Sequence, residues 1–260
     1  MSSKPIGIFD SGVGGLSIWK EIHQLLPMES TCYLSDSKNA PYGPKGKEVI
    51  IALSVKNTEW LIDQDCKLIV VACNTATTNA IDTLRANYDI PFIGIEPAIK
   101  PAALQSKSKA IGILATKGTL SSQLFHKTSQ LYSSELIVIE QEGNGIVELI
   151  EAGGLHSPEM LQLLQSYLKP MLDANIDCLV LGCTHYHFLT PILKELLPSH
   201  VKIIDSGEAV ARQTKAVLEA NQLLNNKRVA GTNTIYTNGE KTVVSSLLSS
   251  KVASVQKLVF

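Results

Sequence analysis

Residues 178–187 read CLVLGCTHYH. An apolar run through Leu179, Val180 and Leu181 stops at Gly182, and Cys183, Thr184, His185, Tyr186 and His187 follow. A short continuous apolar run bounded by a sudden polar cluster reads as a buried parallel strand and its carboxyl end. In open α/β sheets that end is where ligands bind, because the amides of the next helix start face outward there. A thiol with a histidine two residues on thus stands where chemistry is expected.

Moving outward, similar runs recur along the chain: IGIFD (6–10), CYLSD (32–36), LIVVAC (68–73), FIGIE (92–96), AIGILAT (110–116), ELIVIE (135–140) and KIIDS (202–206). Amphipathic helices are expected between them, for example over 48–64 and 158–174. Strands that alternate with helices predict a doubly wound α/β fold with mostly parallel sheets. The chain also repeats itself. IGIFDSG resembles IGILATKG, and LIVVACNT resembles CLVLGCTH with Cys73 over Cys183. Two pairs at nearly the same offset predict two pseudo-symmetric α/β halves. Each places a cysteine at the carboxyl end of a corresponding strand, on facing walls of one cleft between the halves.

The composition bounds the function. The 260 residues are 45% hydrophobic and 18% charged, with a net charge of −1. No Lys/Arg run stands out, so a nucleic-acid or anionic-membrane surface is not indicated. No apolar run approaches the roughly 18 residues of a membrane span, and MSSKPIGIFD has no signal-peptide pattern. A cytoplasmic protein is expected. The five cysteines (Cys32, Cys66, Cys73, Cys178 and Cys183) are odd in number and include no CxxC pair, so a disulfide framework is not supported. Cys32, Cys66 and Cys178 lie in or beside apolar runs and read as small buried hydrophobes.

Two opposed thiols suit inversion of a carbon stereocentre, which needs a base on one face and an acid on the other. A reversible inversion calls for two like groups that exchange roles. Both cysteines are placed at expected helix starts, which favours the thiolate, and His185 is near enough in sequence to assist Cys183. Small polar residues crowd the same strand ends: DSGVGG (10–15), NTATT (74–78), Thr116 and Thr184. Their hydroxyls, the Asn74 amide and the main chain offer donors for carboxylates without a cofactor. Gly12, Gly14 and Gly15 do not fit GxGxxG, and no Walker pattern occurs. The rival for CTHYH is zinc, with Cys183, His185 and His187 as three alternating donors, but no second Cys/His cluster supplies a fourth ligand.

At these residues the sequence resembles the glutamate racemases, cofactor-independent enzymes of the aspartate/glutamate racemase superfamily. The resemblance spans essentially the whole chain and rests on GIFDSGVGGLS (7–17), APYGPKGKE (40–48), VVACNTAT (70–77), GIEPAIKPA (94–102), GILATKGTL (112–120) and DCLVLGCTHY (177–186). It implies interconversion of L- and D-glutamate, supplying D-glutamate for peptidoglycan, with no cofactor and no metal. By motif matching, the catalytic pair is Cys73 and Cys183. Asp10 assists on the Cys73 side and His185 on the Cys183 side, and Glu151 orients the histidine. Substrate contacts fall on Asp10, Ser11, Tyr42, Gly43, Asn74, Thr75, Thr184 and His185, with Thr116 near the same cleft. The resemblance also implies one domain of residues 1–97 plus 207–260 and a second of 98–206, crossing near Pro97 and Asp205. A homodimer is compatible with it, and regulation by a cell-wall precursor is not expected from the short segment before Ile6. Two departures stand out. GNGIVELIE (143–151) lacks the prolines the family commonly has before this glutamate, and His187 stands where proline usually follows CTHY.

Local readings remain beside these. Asp10 at a strand end also reads as a helix cap, and Tyr42-Gly43 in a Pro-flanked loop also reads as a turn. A sister racemase acting on aspartate, a binding protein for an acidic ligand and a zinc hydrolase are the alternative functions.

Overall fold

The computed structural model describes residues 3–132, 136–225, 229–248 and 253–259. Among the described residues, ten strands form two sheets. The first contains β1 (Ile6–Asp10), β2 (Thr31–Ser35), β3 (Leu68–Val71), β4 (Phe92–Gly94), β9 (Asn233–Thr237) and β10 (Ser254–Lys257), in the order β10-β9-β2-β1-β3-β4. The second contains β5 (Ala110–Ala115), β6 (Ile137–Glu142), β7 (Cys178–Gly182) and β8 (Lys202–Ile204), in the order β6-β5-β7-β8. Every pairing is parallel.

The four-strand cores match: β2-β1-β3-β4 in one sheet corresponds to β6-β5-β7-β8 in the other. The strand pairs whose sequences resemble one another, β1 with β5 and β3 with β7, occupy equivalent places. β1, β2, β3, β5 and β7 are buried at every residue, as continuous apolar strands covered on both faces must be. Cys32, Cys66 and Cys178 pack into apolar clusters as buried free thiols.

The helices around the first sheet begin with α1 (Leu16–Leu25), α2 (Lys47–Asp63) and α3 (Asn74–Asn87). Between β4 and β7 come α4 (Ile99–Gln105), α5 (Lys117–Leu120), α6 (Gln123–Gln130), α7 (Ile146–Glu151) and α8 (Pro158–Asp173). α9 (Thr190–Leu196), α10 (Gly207–Ala220) and α11 (Lys241–Leu247) complete the order. α2 and α8 lie within a residue of their expected spans. α8 opens with Ser157 Oγ accepting the Met160 N–H at 3.2 Å and with proline in its first turn, the arrangement that satisfies free amides at no steric cost. Four strands differ from expectation by two residues, the one expected at 68–73 ending at Val71. The strand expected at 92–96 ends at Gly94, and that at 202–206 ends at Ile204. The strand expected at 135–140 runs over 137–142, residue 135 lying outside the described residues.

β9 and β10 were not expected. β9 reads NTIYT, with inner and outer residues alternating, and β10 is the polar edge strand SVQK; neither has the continuous apolar signature of a strand covered on both faces. Among the described residues, no helix is long and apolar enough to cross a membrane. α1 packs on α10 and on the 3₁₀ helix Thr184–Leu189 that follows β7. The carboxyl ends of the two sheets are thereby brought together.

Candidate active site

On the first sheet, the chain leaves β3 through Ala72 and Cys73, and α3 begins immediately. Cys73 is the N-cap, its Sγ accepting the Ala76 N–H at 3.4 Å, while the thiol donates to Ser11 Oγ at 3.6 Å. Burial pushes the Cys73 thiol well above its ordinary range and the nearby Asp10 carboxylate adds to this, outweighing the pull of Ala76 and Ser11. This corrects the expectation that a helix start favours the thiolate: here one weak amide contact loses to desolvation. Asp10, fully buried at the end of β1, uses Oδ2 to accept the N–H groups of Gly12 (3.2 Å) and Gly15 (2.9 Å), and Oδ1 to accept the Thr184 hydroxyl (3.4 Å). It therefore fastens the turn before α1 and also touches the strand end of the other sheet. Burial raises its carboxyl, against the opposing effects of His185 and the Gly12 and Gly15 amides.

On the second sheet, Cys183 follows β7 directly, and a 3₁₀ helix comes next rather than an α-helix. His185 is 1% exposed and lies between two partners, with Nδ1 3.8 Å from Cys183 Sγ and Nε2 2.6 Å from Glu151 Oε1. Burial alone would disfavour the imidazolium, but the Cys183 sulfur and the Glu151 carboxylate reverse that and hold His185 well above its ordinary range. Glu151, at the end of α7, also accepts the Val13 N–H at 2.6 Å and the Ser37 hydroxyl at 2.7 Å. Burial opposes its charge, yet His185, Ser37 and Val13 keep the carboxyl below its ordinary range.

The proline-free segment before Glu151 is organised by glycine instead. Gly145 caps α7 at φ 82°, a conformation that suits glycine. A Cβ on Gly143 would come within 2.3 Å of the Tyr186 hydroxyl, which donates to the Gly143 carbonyl at 3.1 Å. His187 turns to Asp205, its Nδ1 3.6 Å from Oδ2. The three alternating donors of CTHYH therefore divide between two partners instead of converging.

Ser11, Pro41, Tyr42, Gly43, Cys73, Asn74, Thr75, Thr116, Val147, Cys183, Thr184 and His185 line one cavity between the sheet ends, of ≈ 10 Å³. That is about the volume needed for the centre of one water. Asp10 and Glu151 stand just behind this wall. Both polar atoms of the buried Asn74 amide lack a hydrogen-bond partner, a costly state that an incoming polar ligand would relieve. Thr75 and Thr116 join across the cleft, Oγ1 to Oγ1 at 2.8 Å. Tyr42 contributes its body but not its hydroxyl, which donates to Asp36 Oδ2 at 2.6 Å and accepts from Asn57 at 3.0 Å.

The glycine loop is a close-packing surface. A Cβ on Gly12 would fall 1.8 Å from Glu151 Oε1, and one on Gly14 would fall 2.3 Å from His185 Nδ1 and 2.6 Å from the His185 backbone nitrogen. Sequence reasoning did not single out Val13, Ser37, Asp36 or Val147. Asp36 ends the run CYLSD and Ser37 follows it, but only folding brings them to Tyr42 and Glu151.

Comparison with known proteins places these residues in a family context. A family model described as Asp/Glu/Hydantoin racemase matches residues 11–214. The glutamate racemase of Ralstonia pickettii is 50% identical over 216 residues, covering 83% of this chain and 77% of its own. That of Herpetosiphon aurantiacus is 44% identical over 240 residues, covering 92% and 94%. Among solved structures, Escherichia coli glutamate racemase in complex with L-glutamate and the activator UDP-MurNAc-ala superposes with a TM-score of 0.85 at 34% identity, over 98% of each chain. The glutamate racemase of Francisella tularensis in complex with D-glutamate gives a TM-score of 0.85 at 28% identity, over 100% and 98%.

Proposed function

The chain belongs to the Asp/Glu/hydantoin racemase family, and from that premise we propose that it interconverts L- and D-glutamate by a two-base reaction in which Cys73 and Cys183 work on opposite faces of the α-carbon. It is an amino-acid racemase, and relatives at 44% and 50% identity over most of the chain, all glutamate racemases, support glutamate as substrate. The observation that carries the cysteine assignment is geometric: from equivalent strand ends of two sheets, both thiols line one cavity that also holds an unpartnered buried amide.

In the reaction one cysteine, as thiolate, takes the α-proton, and the other, as thiol, delivers its own proton to the opposite face. The C–H bond breaks on one side and forms on the other, and the sulfurs end with exchanged protonation states. His185 next to Cys183 supplies a positive neighbour for that thiolate. On the Cys73 side the thiol must lose its proton against burial, and Asp10, whose carboxyl is itself raised, is the neighbouring group suited to exchange it. Asn74, Thr75, Thr116 and Thr184, with the main chain of Ser11 and Gly43, offer hydrogen bonds to the α-carboxylate, side-chain carboxylate and ammonium. Charge developing at the α-carbon is then met by fixed dipoles with little water present.

A cavity of ≈ 10 Å³ has to widen to admit an amino acid. The parting fits two bodies, residues 1–97 with 207–260 and residues 98–206, turning about the crossings near Pro97 and Asp205. The D-glutamate formed would then be available to peptidoglycan synthesis, the use that the family resemblance implies.

Proton NMR of L-glutamate in D₂O tests the proposal. The α-proton signal should disappear as D-glutamate accumulates, and L-aspartate run in parallel should exchange far more slowly. Cys73→Ala and Cys183→Ala should each reduce racemisation by at least ~10³-fold, the scale of a lost acid/base group. Undiminished racemisation by either variant would refute the pairing, and preferential exchange of aspartate would move the substrate to the shorter acid.

A further inference from the structure

The Glu151 carboxylate is held from both sides of the cleft. On its own side it receives the His185 Nε2–H at 2.6 Å; from the other side it receives the Val13 N–H at 2.6 Å and the Ser37 hydroxyl at 2.7 Å. Val13 lies in the turn after β1 and Ser37 just beyond β2, both in the first sheet, whereas Glu151 follows β6 of the second. β2 and β6 are equivalent strands, so the contact joins matching corners of the two sheets.

The Ser37 hydroxyl is itself oriented. Its proton goes to Glu151, so it accepts from Ser35 Oγ, 3.0 Å away. Gly239 presses against it, since a Cβ there would lie 2.5 Å from Ser37 Cβ. The result is a continuous line, Ser35–Ser37–Glu151–His185–Cys183, running from the core of one sheet to the reacting sulfur of the other. Around the carboxylate stand His185, Asp10 and the Tyr33 hydroxyl as the other titratable groups.

We propose that Ser37, together with the Val13 N–H, is a positioning pair that sets Glu151, and through it His185, only when the two sheet ends are closed on each other. The inference rests on the two-base reading above and adds a coupling to it: the Cys183 side of the site is completed by closure, whereas the hydrogen bonds of the Cys73 thiol itself are not. The Cys73 contacts to Ala76 and Ser11 all lie within the first sheet and its loops, so they persist whether the cleft is open or closed. Opening the cleft removes two of the three donors on Glu151 and leaves its carboxylate free to rotate off the imidazole. Admission of substrate and assembly of the second acid/base group are thus linked, and the imidazolium–carboxylate pair is held by all three donors only when the cleft is closed.

Ser37→Ala tests this, with Ser37→Gly as a second variant lacking the hydroxyl and Ser37→Thr as one that retains it. In the full-length protein, the His185 Nε2–H proton should resonate far downfield, as a short charge-assisted hydrogen bond does. In Ser37→Ala and Ser37→Gly that signal should move upfield or broaden, and kcat should fall about tenfold, the size of one lost hydrogen bond to a charged group. Ser37→Thr should restore both. An unchanged imidazole signal in the hydroxyl-free variants overturns the proposal, and so does unchanged kcat or a loss that threonine does not rescue. Failure of the two-base reading itself is separate, because it shows as absent α-proton exchange in the unsubstituted protein, while the imidazole signal is read without turnover.

Discussion

The two cysteines occupy equivalent ends of equivalent strands, yet their surroundings differ in kind. Cys73 sits among neutral partners, the Ala76 N–H that donates to it and the Ser11 hydroxyl that accepts from it, with the Asp10 carboxylate near by. Cys183 stands beside an imidazole backed by a carboxylate. One thiol is therefore held protonated by burial and an anionic neighbour, and the other faces a cation. Enantiomers have equal free energies, so kcat/KM must be the same in both directions, but nothing requires the two proton transfers to be equally easy. Duplicating an α/β unit copies strand ends and leaves each side free to activate its sulfur differently.

The comparison breaks most completely where one half intrudes on the other. Gly14 belongs to the loop after β1, but a Cβ there would lie 2.6 Å from the backbone nitrogen of His185, which cannot swing aside as a side chain tip can. Gly14→Ala should force the sheet ends apart and lower kcat/KM for both enantiomers by about a hundredfold or more, as a displacement near 1 Å does. Steady-state polarimetry would measure it. Activity within a few-fold of the parent would show that the cleft does not close on this loop during turnover.

A charge change strikes only the Cys183 side. In Glu151→Gln the imidazole loses its carboxylate partner, so the His185 pKa should fall and the alkaline limb of the kcat profile should move to lower pH, with about a tenfold loss at neutral pH. Stability gives a second check. His185 is raised above its ordinary 6.5, so its contribution is full below 6.5 and fades as pH rises through the raised value. Glu151 is lowered below its ordinary 4.5, so its contribution is full above 4.5 and fades as pH falls through the depressed value. The pair therefore stabilises most between those limits. Melting temperatures of Glu151→Gln and the parent should differ most near pH 5.5 and converge towards both extremes; a difference independent of pH would mean the pair is not ionic.

How much of this is legible in the sequence follows from range. The buried strands announce themselves because both faces are apolar, and Cys73 and Cys183 can be aligned because Leu68–Val71 and Cys178–Gly182 are local copies. β9 escapes because NTIYT packs on one face only and mixes threonine and asparagine with its apolar residues. The likeness of IGIFDSG to IGILATKG points to equivalent first strands, but nothing local says that Gly12 and Gly14 lie flush against Glu151 and His185, more than 130 residues away. Ser37 is invisible for the same reason: a serine in a polar turn has many ordinary uses, and its partner is chosen by how two sheets meet. The glutamate itself is found through motif order, but its contact with His185 is set by how α7 meets the 3₁₀ helix after β7.

The smallest effect should sharpen the comparison furthest. Ser11→Ala removes one neutral hydrogen-bond partner of Cys73 at 3.6 Å. The hydroxyl accepts from the thiol and, once the proton has left, can donate to the thiolate, so its loss should raise an already elevated thiol further. One such bond is worth about 1 kcal/mol, or roughly a factor of five in rate. Because kcat/KM stays tied in the two directions, the imprint lies in kcat and in the isotope effect. With α-deuterated substrates, Ser11→Ala should raise the isotope effect for the enantiomer whose proton Cys73 removes, and Glu151→Gln should raise it for the other. The pattern holds whichever cysteine serves whichever enantiomer, since only the opposition is predicted. If both substitutions raise the effect for the same enantiomer, the sulfurs are not served by separate partners. The Asp10–Thr184 contact across the cleft would then have to be read as joining the two sides into a single proton-handling unit.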